Sequence, residues 1–285
     1  MSGESAGGAG SLRPVLPMFA PNDDPGPSFS ALVARAGLQP PVPDPVTGGH
    51  GLDITHGTTV VAVRYADGVI MAGDRRATSG NLISHRDMEK VYPADRHSGV
   101  AIAGAAGPAM EMVRLFQLQL EHYEKVEGQA LSLEGKANQL SMMIRGNLPL
   151  AMQGLVVVPL FAGFDLRRGF GRLFQYDVTG GRYEETNYAA TGSGSLFAAT
   201  VVKMGYRTGL SADEGIDLVL SALFQAADED SATGGPDPIR RIYPIVATIS
   251  EAGFERRSDE AIADRFTALL ERISTERGGS ATVTS

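Results

Sequence analysis

The sequence predicts an α+β fold in which largely antiparallel sheets are covered by separate outer layers of helices. Strand-like runs come in blocks, and pairs of helices rather than single crossover helices separate these blocks. Asp67-Gly68 lies between two apolar runs, which is a strong short-range signal for an antiparallel hairpin. The 285-residue chain is 43% hydrophobic and 20% charged, which is the composition of a globular protein.

The first block of strands begins abruptly near Thr58. Residues 59–66 (TVVAVRYA) and 69–74 (VIMAGD) are predicted to pair across Asp67-Gly68, in a type I′ turn with positive φ at both central residues. Residues 98–104 (SGVAIAG) are predicted to form another strand of this block.

Two helices are predicted next. The first covers about residues 108–126 and has apolar residues at helical spacing. These residues are Met112, Phe116, Leu120 and Tyr123. The second helix has Ser132 as its N-cap, and Pro149 is expected to end it.

The second half of the chain repeats this alternation of strands and helices. Predicted strands cover residues 155–163, 172–178, 182–188 and 242–249. Predicted helices cover residues 195–204, a segment that begins at Ser211, and residues 259–273. Ser211 and Glu214 form the pattern of a capping box. The chain from about residue 276 is predicted to be a flexible tail.

Residues 1–57 differ in composition from everything that follows. They hold nine of the sixteen prolines, ten of the thirty-five glycines and no lysine. Such a segment cannot bury enough apolar surface to offset the entropy of ordering it, so we predict that it is largely disordered. It is either a tail or a removable pro-segment, and residues 58–285 would form the folded domain.

Composition also bears on the class of function. The net charge of −8 argues against nucleic acid or an anionic membrane as the main partner. The chain has no cysteine, and its five histidines form no HExxH pattern or close pair, so we expect neither a metal nor another cofactor. It has no secretory signal and no stretch near the ~20 apolar residues that span a bilayer, so we expect a cytoplasmic protein.

The junction between Gly57 and Thr58 indicates a particular chemistry. If the chain were cut there, Thr58 would carry both a hydroxyl nucleophile and a free α-amine, whose reference pKa of ~7.7–8.0 suits a general base. In the uncut chain the same nitrogen is an amide and cannot serve, so residues 1–57 would keep the enzyme inactive. Gly57 lacks a Cβ, and the backbone could bend tightly enough for Thr58 Oγ to attack the preceding carbonyl group. Thr59 is expected only to begin the strand.

The residues around this junction resemble a known family. THGTTVVAVRYADGVIMAGDRRAT is similar to the start of a proteasome β subunit, a self-processing threonine protease of the N-terminal nucleophile hydrolase family. Asp74, Lys90 and Gly104 follow Thr58 by 16, 32 and 46 residues, at spacings similar to those of the family. ATGSGS and EDSATGG, residues 190–195 and 229–235, resemble its two remaining signatures. The resemblance implies a four-layer αββα sandwich of two mainly antiparallel sheets over residues 58–285.

The resemblance also implies roles for individual residues. Thr58 would be both nucleophile and base, Lys90 would lower the pKa of the amine and help proton movement at Oγ, and Asp74 would hold that lysine. Gly104 would offer its backbone N–H to the oxyanion of the tetrahedral intermediate.

A second group of residues would surround the amine of Thr58. Ser193, Asp230 and Thr233 resemble the residues that hydrogen-bond the amine and position water in the family. Thr233 stands where the family often has serine, and it keeps the hydroxyl, so we expect only a modest effect on geometry.

Substrate binding is expected to use strand addition, with backbone groups near Thr78, Gly104 and Ala106 pairing with an extended peptide. Selectivity would come from a pocket beside Thr58. By resemblance this pocket is lined by Ala77, Met88, Tyr92, Ile102, Ala106 and Met110. An apolar lining with small residues predicts a tendency to cleave after large apolar residues.

Three alternatives compete with a catalytic proteasome subunit. A serine hydrolase using Ser193 or Ser195 is disfavoured because no GxSxG motif occurs and no histidine follows either serine. The smaller bacterial heat-shock threonine protease shares several spacings, but EDSATGG and the long pro-segment favour the proteasome. A non-catalytic β-ring subunit should lack Thr58, Asp74 or Lys90, and all three are present.

The resemblance finally implies an assembly. The long pro-segment, and an amino-acid usage typical of a GC-rich gene, are most like the actinobacterial type of proteasome. Such β subunits form seven-membered rings, two of them stacked and flanked by rings of α subunits, while an ATPase ring feeds in unfolded proteins.

Overall fold

The fold is seen in a computed structural model that describes residues 57–279, with side chains through residue 275. The described residues belong to one compact unit, Leu52–Ser285. The predicted disorder of residues 1–56 and the last residues of the predicted tail, 280–285, lie outside the described residues.

Strands and helices alternate in blocks along the described chain. The first block of strands consists of β1 (Thr59–Tyr65), β2 (Gly68–Gly73), β3 (Ala77–Ser79), β4 (Leu82–His85), β5 (Val91–Asp95) and β6 (Ser98–Gly104). The helices α1 (Ala106–Glu127), α2 (Leu133–Gly146) and α3 (Leu148–Ala151) follow. The second block of strands consists of β7 (Val157–Asp165), β8 (Phe170–Tyr176), β9 (Arg182–Glu185) and β10 (Tyr188–Gly192). The remaining elements are α4 (Ser195–Gly205), α5 (Ala212–Glu229), β11 (Ile245–Ser250), β12 (Gly253–Arg256) and α6 (Asp259–Gly279).

The strands form two five-stranded sheets and a short ribbon. The first sheet has the order β10-β1-β2-β11-β12, the second has the order β5-β6-β7-β8-β9, and β3 pairs with β4. Every pairing is antiparallel, as predicted.

The alternation of side chains along β1 shows how the layers stack. Val60 and Ala62 lie in a core that the two sheets share, whereas Val61 and Val63 lie in a core with residues of α4, α5 and α6. The outer face of the second sheet packs on α1 and α2, where Phe161 contacts Phe116 edge to face at a centroid distance of 5.8 Å. Since a strand turns successive side chains to opposite faces, each sheet is buried on both sides. The predicted four-layer αββα sandwich is confirmed.

The β1–β2 hairpin is confirmed, but its turn differs from the predicted one. Tyr65 pairs with Gly68, so the two turn residues are Ala66 and Asp67. Neither has positive φ, and the turn is therefore not type I′. Gly68 serves another purpose, because a Cβ there would lie 1.9 Å from the carbonyl oxygen of Ile249 in β11. The glycine allows two strands to approach closely and does not form the turn.

Several predicted boundaries were wrong. Residues 182–188 are not one strand, since β9 ends at Glu185 and pairs with β8 in the second sheet. Only Tyr188 of the predicted range belongs to β10, which continues to Gly192 and pairs with β1 in the first sheet. The strands β3, β4, β5 and β12 were not predicted.

The helix ends also differ. The helix α2 ends at Gly146, and Pro149 lies in the first turn of α3, where a proline costs no hydrogen bond. Tyr123, predicted on the buried face of α1, is exposed. The last helix continues through Gly279, so residues 276–279 are helical where a flexible tail was predicted. None of the helices within residues 57–279 is both long enough and apolar enough to cross a membrane.

Candidate active site

Gly57 and Thr58 lie directly before β1 and are buried. A Cβ on Gly57 would lie 1.9 Å from the Cβ of Ala232, so no side chain fits at this position. The N–H of Gly57 donates to Thr78 Oγ1 at 3.2 Å. The residue before Thr58 is thus held on one side by β3 and on the other by the loop after α5.

The Thr58 hydroxyl lies beside the peptide group that was predicted to be cut. Its Oγ1 donates to the carbonyl oxygen of Gly57 at 2.7 Å. The Thr58 N–H, which is an amide in this uncut chain, donates to Ser193 Oγ at 3.3 Å. The Thr58 carbonyl oxygen accepts from the Ser193 N–H at 2.8 Å. The backbone of Thr58 is therefore fixed on both sides while its hydroxyl faces the carbonyl group before it.

Lys90 and Asp74 form a buried ion pair next to this residue. Asp74 follows β2 and Lys90 precedes β5, and their side chains are 0% and 1% exposed. Lys90 Nζ donates to Asp74 Oδ1 at 2.7 Å and to the carbonyl oxygen of Arg76 at 2.5 Å. Burial lowers the pKa of Lys90 below its usual 10.5, and the charge of Asp74 opposes that shift only in part.

The Asp74 carboxylate connects three segments of the chain. Besides Lys90, its Oδ1 accepts from the N–H of Thr59 at 2.8 Å. Its Oδ2 accepts from the N–H of Arg76 at 2.9 Å and from the N–H of Gly234 at 2.8 Å. A carboxylate held by four donors has little freedom to move, so it fixes the position of Lys90.

The second predicted group also comes together in space. Ser193 lies between β10 and α4, and Asp230 and Thr233 lie just after α5. Asp230 Oδ2 accepts from Ser193 Oγ at 2.5 Å and from Thr233 Oγ1 at 2.6 Å. Because Ser193 also accepts the Thr58 N–H, these residues lie behind the nitrogen that would become the free amine.

A small cleft opens in front of Thr58. Its lining consists of Gly57, Thr58, Ala77, Thr78, Met88, Lys90, Ile102, Gly104 and Ala106. Gly104 ends β6 with φ of 109°, and a Cβ there would lie 2.0 Å from the carbonyl oxygen of Val156. A glycine is required at that point, since an L-residue would be both strained and blocked.

Only some of the residues that were predicted to line the specificity pocket lie in this cleft. Ala77, Met88, Ile102 and Ala106 line it together with Thr58. Tyr92 and Met110 do not, and instead pack against the core between the second sheet and α1 that also contains Ile102. The Tyr92 hydroxyl is turned to the carbonyl oxygen of Glu89 at 2.7 Å.

The sequence analysis did not identify the residues that connect the Lys90–Asp74 pair with the group of Ser193, Asp230 and Thr233. Thr59 was expected only to begin a strand, but it is fully buried and bonds Asp74 through its N–H. Its Oγ1 lies 2.6 Å from Thr233 Oγ1 and accepts from the N–H of Gly194 at 3.1 Å. Both Thr59 and Gly194 lie within the motifs quoted from the sequence, but the resemblance assigned a role to neither.

Comparisons with known proteins show the family of this chain. The family described as "Proteasome subunit" matches residues 54–239. A protein named "Proteasome subunit beta" from Acidimicrobium ferrooxidans is 58% identical over 266 residues, which cover 93% of this chain and 97% of the relative.

Two further relatives carry the same name. The protein from Streptomyces griseus is 60% identical over 221 residues, 78% of this chain and 79% of its own length. The protein from Frankia casuarinae is 50% identical over 272 residues, 95% of this chain and 93% of its own length. These relatives come from actinobacteria, the type that the sequence most resembles. The chain belongs to the proteasome subunit family, as one of its β subunits.

Proposed function

We propose that this β subunit is a catalytic threonine endopeptidase of the 20S proteasome core, with Thr58 as its nucleophile. The observation that carries the proposal is the Thr58 hydroxyl, which lies 2.7 Å from the carbonyl oxygen of Gly57 in the cleft that Lys90 and Gly104 also line. A hydroxyl in that position can react first with the carbonyl group before it and later with that of a bound peptide.

The first reaction removes residues 1–57 as a propeptide. Thr58 Oγ loses its proton and attacks the carbonyl carbon of Gly57, the C–N bond breaks, and the nitrogen takes a proton to become a free amine. This step leaves an ester between Gly57 and Thr58 Oγ. Water hydrolyses the ester, which releases the Gly57 carboxyl group and restores the hydroxyl. Lys90, whose pKa burial lowers, is suited to take up or return the hydroxyl proton.

The second reaction is peptide hydrolysis by the processed enzyme. The new α-amine of Thr58 accepts the hydroxyl proton while Oγ attacks the substrate carbonyl carbon. The scissile C–N bond then breaks, and the protonated amine gives its proton to the leaving nitrogen. Water hydrolyses the resulting acyl-enzyme, which releases the carboxyl product and restores the hydroxyl. Ser193, Asp230 and Thr233 hold the amine, a role supported by the bond from the Thr58 nitrogen to Ser193. The Gly104 N–H stabilises the oxyanion, and a donor of this kind contributes about 3 kcal/mol to transition-state binding.

The cleft sets the substrate preference. An extended peptide pairs with the backbone near Thr78, Gly104 and Ala106, and its side chain before the scissile bond enters the space between Ala77, Met88 and Ile102. Met110 and Tyr92 support this pocket from the core behind it. Since the lining is apolar, we expect cleavage after large apolar residues.

The chain works in an assembly rather than alone. As a family member it is part of a multi-subunit proteasome core. The specific partners that we propose are other β subunits and α subunits in stacked seven-membered rings, with an ATPase ring that delivers unfolded proteins. The assembly is expected to act in the cytoplasm and to need no cofactor.

The two remaining alternatives receive less support. The relatives carry the name of proteasome β subunits, which disfavours the smaller heat-shock threonine protease. A purely structural ring subunit would not need a buried Lys90–Asp74 pair beside Thr58, because burying two charges costs free energy that a structural site could avoid.

Replacement of Thr58 tests the nucleophile. The variant Thr58→Ala, made in the full chain and assembled with its α subunits, should keep residues 1–57 attached and hydrolyse no fluorogenic peptide. Thr58→Ser is the matched control, since it keeps a hydroxyl, and it should retain both processing and measurable turnover. Mass spectrometry of the wild-type protein should give an N-terminus at Thr58. Any other N-terminus, or hydrolysis by the alanine variant, would contradict the proposal.

Peptide substrates test the pocket. Fluorogenic peptides that end in Tyr or Leu should be cleaved with a higher kcat/KM than matched peptides that end in Arg or Glu. Filling the pocket by Ala77→Phe should reduce the turnover of the Tyr peptide more than that of a matched Ala peptide. The opposite order in either experiment would exclude this surface as the specificity pocket.

A further inference from the structure

The hydroxyl of Thr59 occupies a position that neither the family resemblance nor the proposed mechanism assigns. Thr59 is fully buried at the start of β1, one residue after the proposed nucleophile. Its N–H bonds Asp74 Oδ1, the same oxygen that accepts from Lys90. Its Oγ1 contacts Thr233 and Gly194, on the side of Thr58 where Ser193 and Asp230 lie. Near the cleft, within the described residues, Thr59 therefore hydrogen-bonds both Asp74, the partner of Lys90, and Thr233, the partner of Asp230.

The direction of each hydrogen bond can be worked out from the number of protons available. An ionised carboxylate only accepts, so Thr233 must use its single hydroxyl proton on Asp230 Oδ2 at 2.6 Å. Thr233 can then only accept in its 2.6 Å contact with Thr59, which makes Thr59 the donor. The Thr59 oxygen in turn accepts from the N–H of Gly194 at 3.1 Å. The result is a chain of donors from Gly194 through Thr59 and Thr233 to Asp230.

A second chain ends at the same oxygen. The Thr58 N–H donates to Ser193 Oγ at 3.3 Å, and Ser193 Oγ donates to Asp230 Oδ2 at 2.5 Å. Ser193 and Gly194 are neighbours, so the two chains hold the same short segment. Asp230 Oδ2 therefore accepts from both chains, while its Oδ1 accepts from the N–H of Ala232 at 3.1 Å.

The packing around Gly194 leaves little room for adjustment. A Cβ on Gly194 would lie 2.5 Å from Thr59 Oγ1 and 2.8 Å from Thr233 Oγ1. If the Thr59 hydroxyl were replaced by a methyl group, the buried N–H of Gly194 would lose its partner and the segment could restore it only by moving. That movement would carry Ser193 away from the nitrogen of Thr58.

We propose that Thr59 is a positioning residue whose hydroxyl sets Ser193 and Asp230 against the amine of Thr58. The inference rests on the proposed function of Thr58 as nucleophile. Thr59 does not line the cleft, so it acts on the reaction through these residues and not on the binding of substrate.

Isosteric substitution separates this role from a purely structural one. In the assembled protein, Thr59→Val removes the hydroxyl and keeps the shape and the N–H bond to Asp74. It should lower kcat by about tenfold or more, because the general base is misplaced, with KM changed by less than about twofold. Processing at Gly57-Thr58 should slow as well. Thr59→Ser keeps the hydroxyl and should restore both processing and kcat.

Controls make the test decisive. Thr248→Val removes another buried threonine hydroxyl from the same sheet, outside the site, and should leave kcat and KM unchanged. A Thr59→Val enzyme with wild-type kcat, or one whose kcat the serine variant does not match, would overturn the proposal. If Thr59→Val and Thr59→Ala both fail to fold while Thr59→Ser folds, the hydroxyl serves stability instead, and the proposal is again overturned. Hydrolysis by Thr58→Ala would overturn the proposed nucleophile, whereas a wild-type kcat in Thr59→Val beside an inactive Thr58→Ala would overturn only the role of Thr59.

Discussion

Lys90 and Arg172 are both cations buried among the strands, but their surroundings differ. Lys90 has one carboxylate partner, Asp74, and its second bond goes to the carbonyl oxygen of Arg76. Arg172, in β8, bonds three carboxylates: Asp165 at 3.1 Å, Glu134 at 2.7 Å, and Glu184 through Nε and Nη2 at 2.7 and 2.6 Å. Its guanidinium group also lies 5.1 Å from the centroid of the Phe174 ring.

These surroundings shift the two pKa values in opposite directions. The hydrogen bonds that Arg172 donates to Glu184 and the other carboxylates raise its pKa above the usual value, so the charge is permanent. Burial lowers the pKa of Lys90, because one carboxylate only partly compensates for the loss of water. Arg172 holds β7, β8, β9 and the start of α2 together, whereas the lowered pKa of Lys90 is consistent with the role in proton movement proposed for it. Of these two cations, the one with three carboxylate partners has a raised pKa, and the one with a single carboxylate partner has a lowered pKa.

The largest effect on activity is expected from Lys90→Met. This change removes the ammonium group but leaves Asp74 with its three backbone donors from Thr59, Arg76 and Gly234. Peptide hydrolysis should fall by about a hundredfold or more while the protein still folds. Lys136→Met is a matched control, because Lys136 is also buried and paired, with Asp95. Equal kcat in the Lys90 and Lys136 variants would contradict a catalytic role for the Lys90 ammonium group.

A large effect on stability is expected from Arg172→Met. Asp165, Glu134 and Glu184 would be left facing one another without their shared cation. Since Glu134 and Glu184 are partly exposed, the decrease in the free energy of unfolding should lie near the lower end of the usual range for a broken buried ion pair, about 3 kcal/mol. Thermal and urea unfolding of the variant measure this loss. The kcat of the folded fraction should be unchanged, and a stable but inactive variant would contradict a purely structural role.

A moderate effect is expected at alkaline pH. Because burial places the pKa of Lys90 below 10.5, its ammonium group is lost at a lower pH than that of an exposed lysine. Because the charge of Lys90 is proposed to lower the pKa of the Thr58 amine, kcat/KM should begin to fall below pH 10.5. The pH profile should be recorded with the melting temperature at each pH, so that unfolding is recognised. A profile that stays flat past that pH would show that the charge of Lys90 is not required.

The smallest effect is expected at acidic pH. The pKa of Glu134 lies below 4.5, chiefly because of its hydrogen bond from Arg172. A lowered pKa in the folded state contributes stability above the unfolded value, and this contribution is lost as pH falls through the folded value. The contribution should be below about 1 kcal/mol, because Glu134 is partly exposed to solvent. Glu134→Gln removes this contribution. As the pH falls from neutral to 4.5 and below, the free energy of unfolding in urea should therefore decrease slightly less for the variant than for the wild type. A variant with the same acid dependence as the wild type would contradict this assignment.

Part of the candidate site could be predicted from the sequence because it depends on spacing. Asp74, Lys90 and Gly104 lie at fixed distances along the chain from Thr58, and the structure brings Asp74 against Lys90 and lines one cleft with Thr58, Lys90 and Gly104. The residues that tie these parts together could not be predicted in this way. Thr59 and Gly234 act through contacts between segments that lie far apart in the chain.

Glycines show the same limit. Gly57 was expected to let the backbone bend at the cleavage junction, and Gly68 was expected to take positive φ in a turn. In the folded chain the obstacle is distant, Ala232 for Gly57 and the carbonyl oxygen of Ile249 for Gly68. A local pattern can show that a glycine is needed without showing what approaches it.

By itself the sequence determined the order of strand and helix blocks, the antiparallel pairing, the family and the residues that carry the proposed chemistry. These depend on short-range periodicity and on motif spacing, which the chain displays directly. Only the tertiary structure decided that residues 182–188 divide between two sheets and that Asp74 accepts from three segments. It also decided that Thr59 connects Asp74, beside Lys90, with Thr233, beside Asp230. Such contacts arise when distant segments are packed around a shared core, and no local pattern records which polar groups then meet.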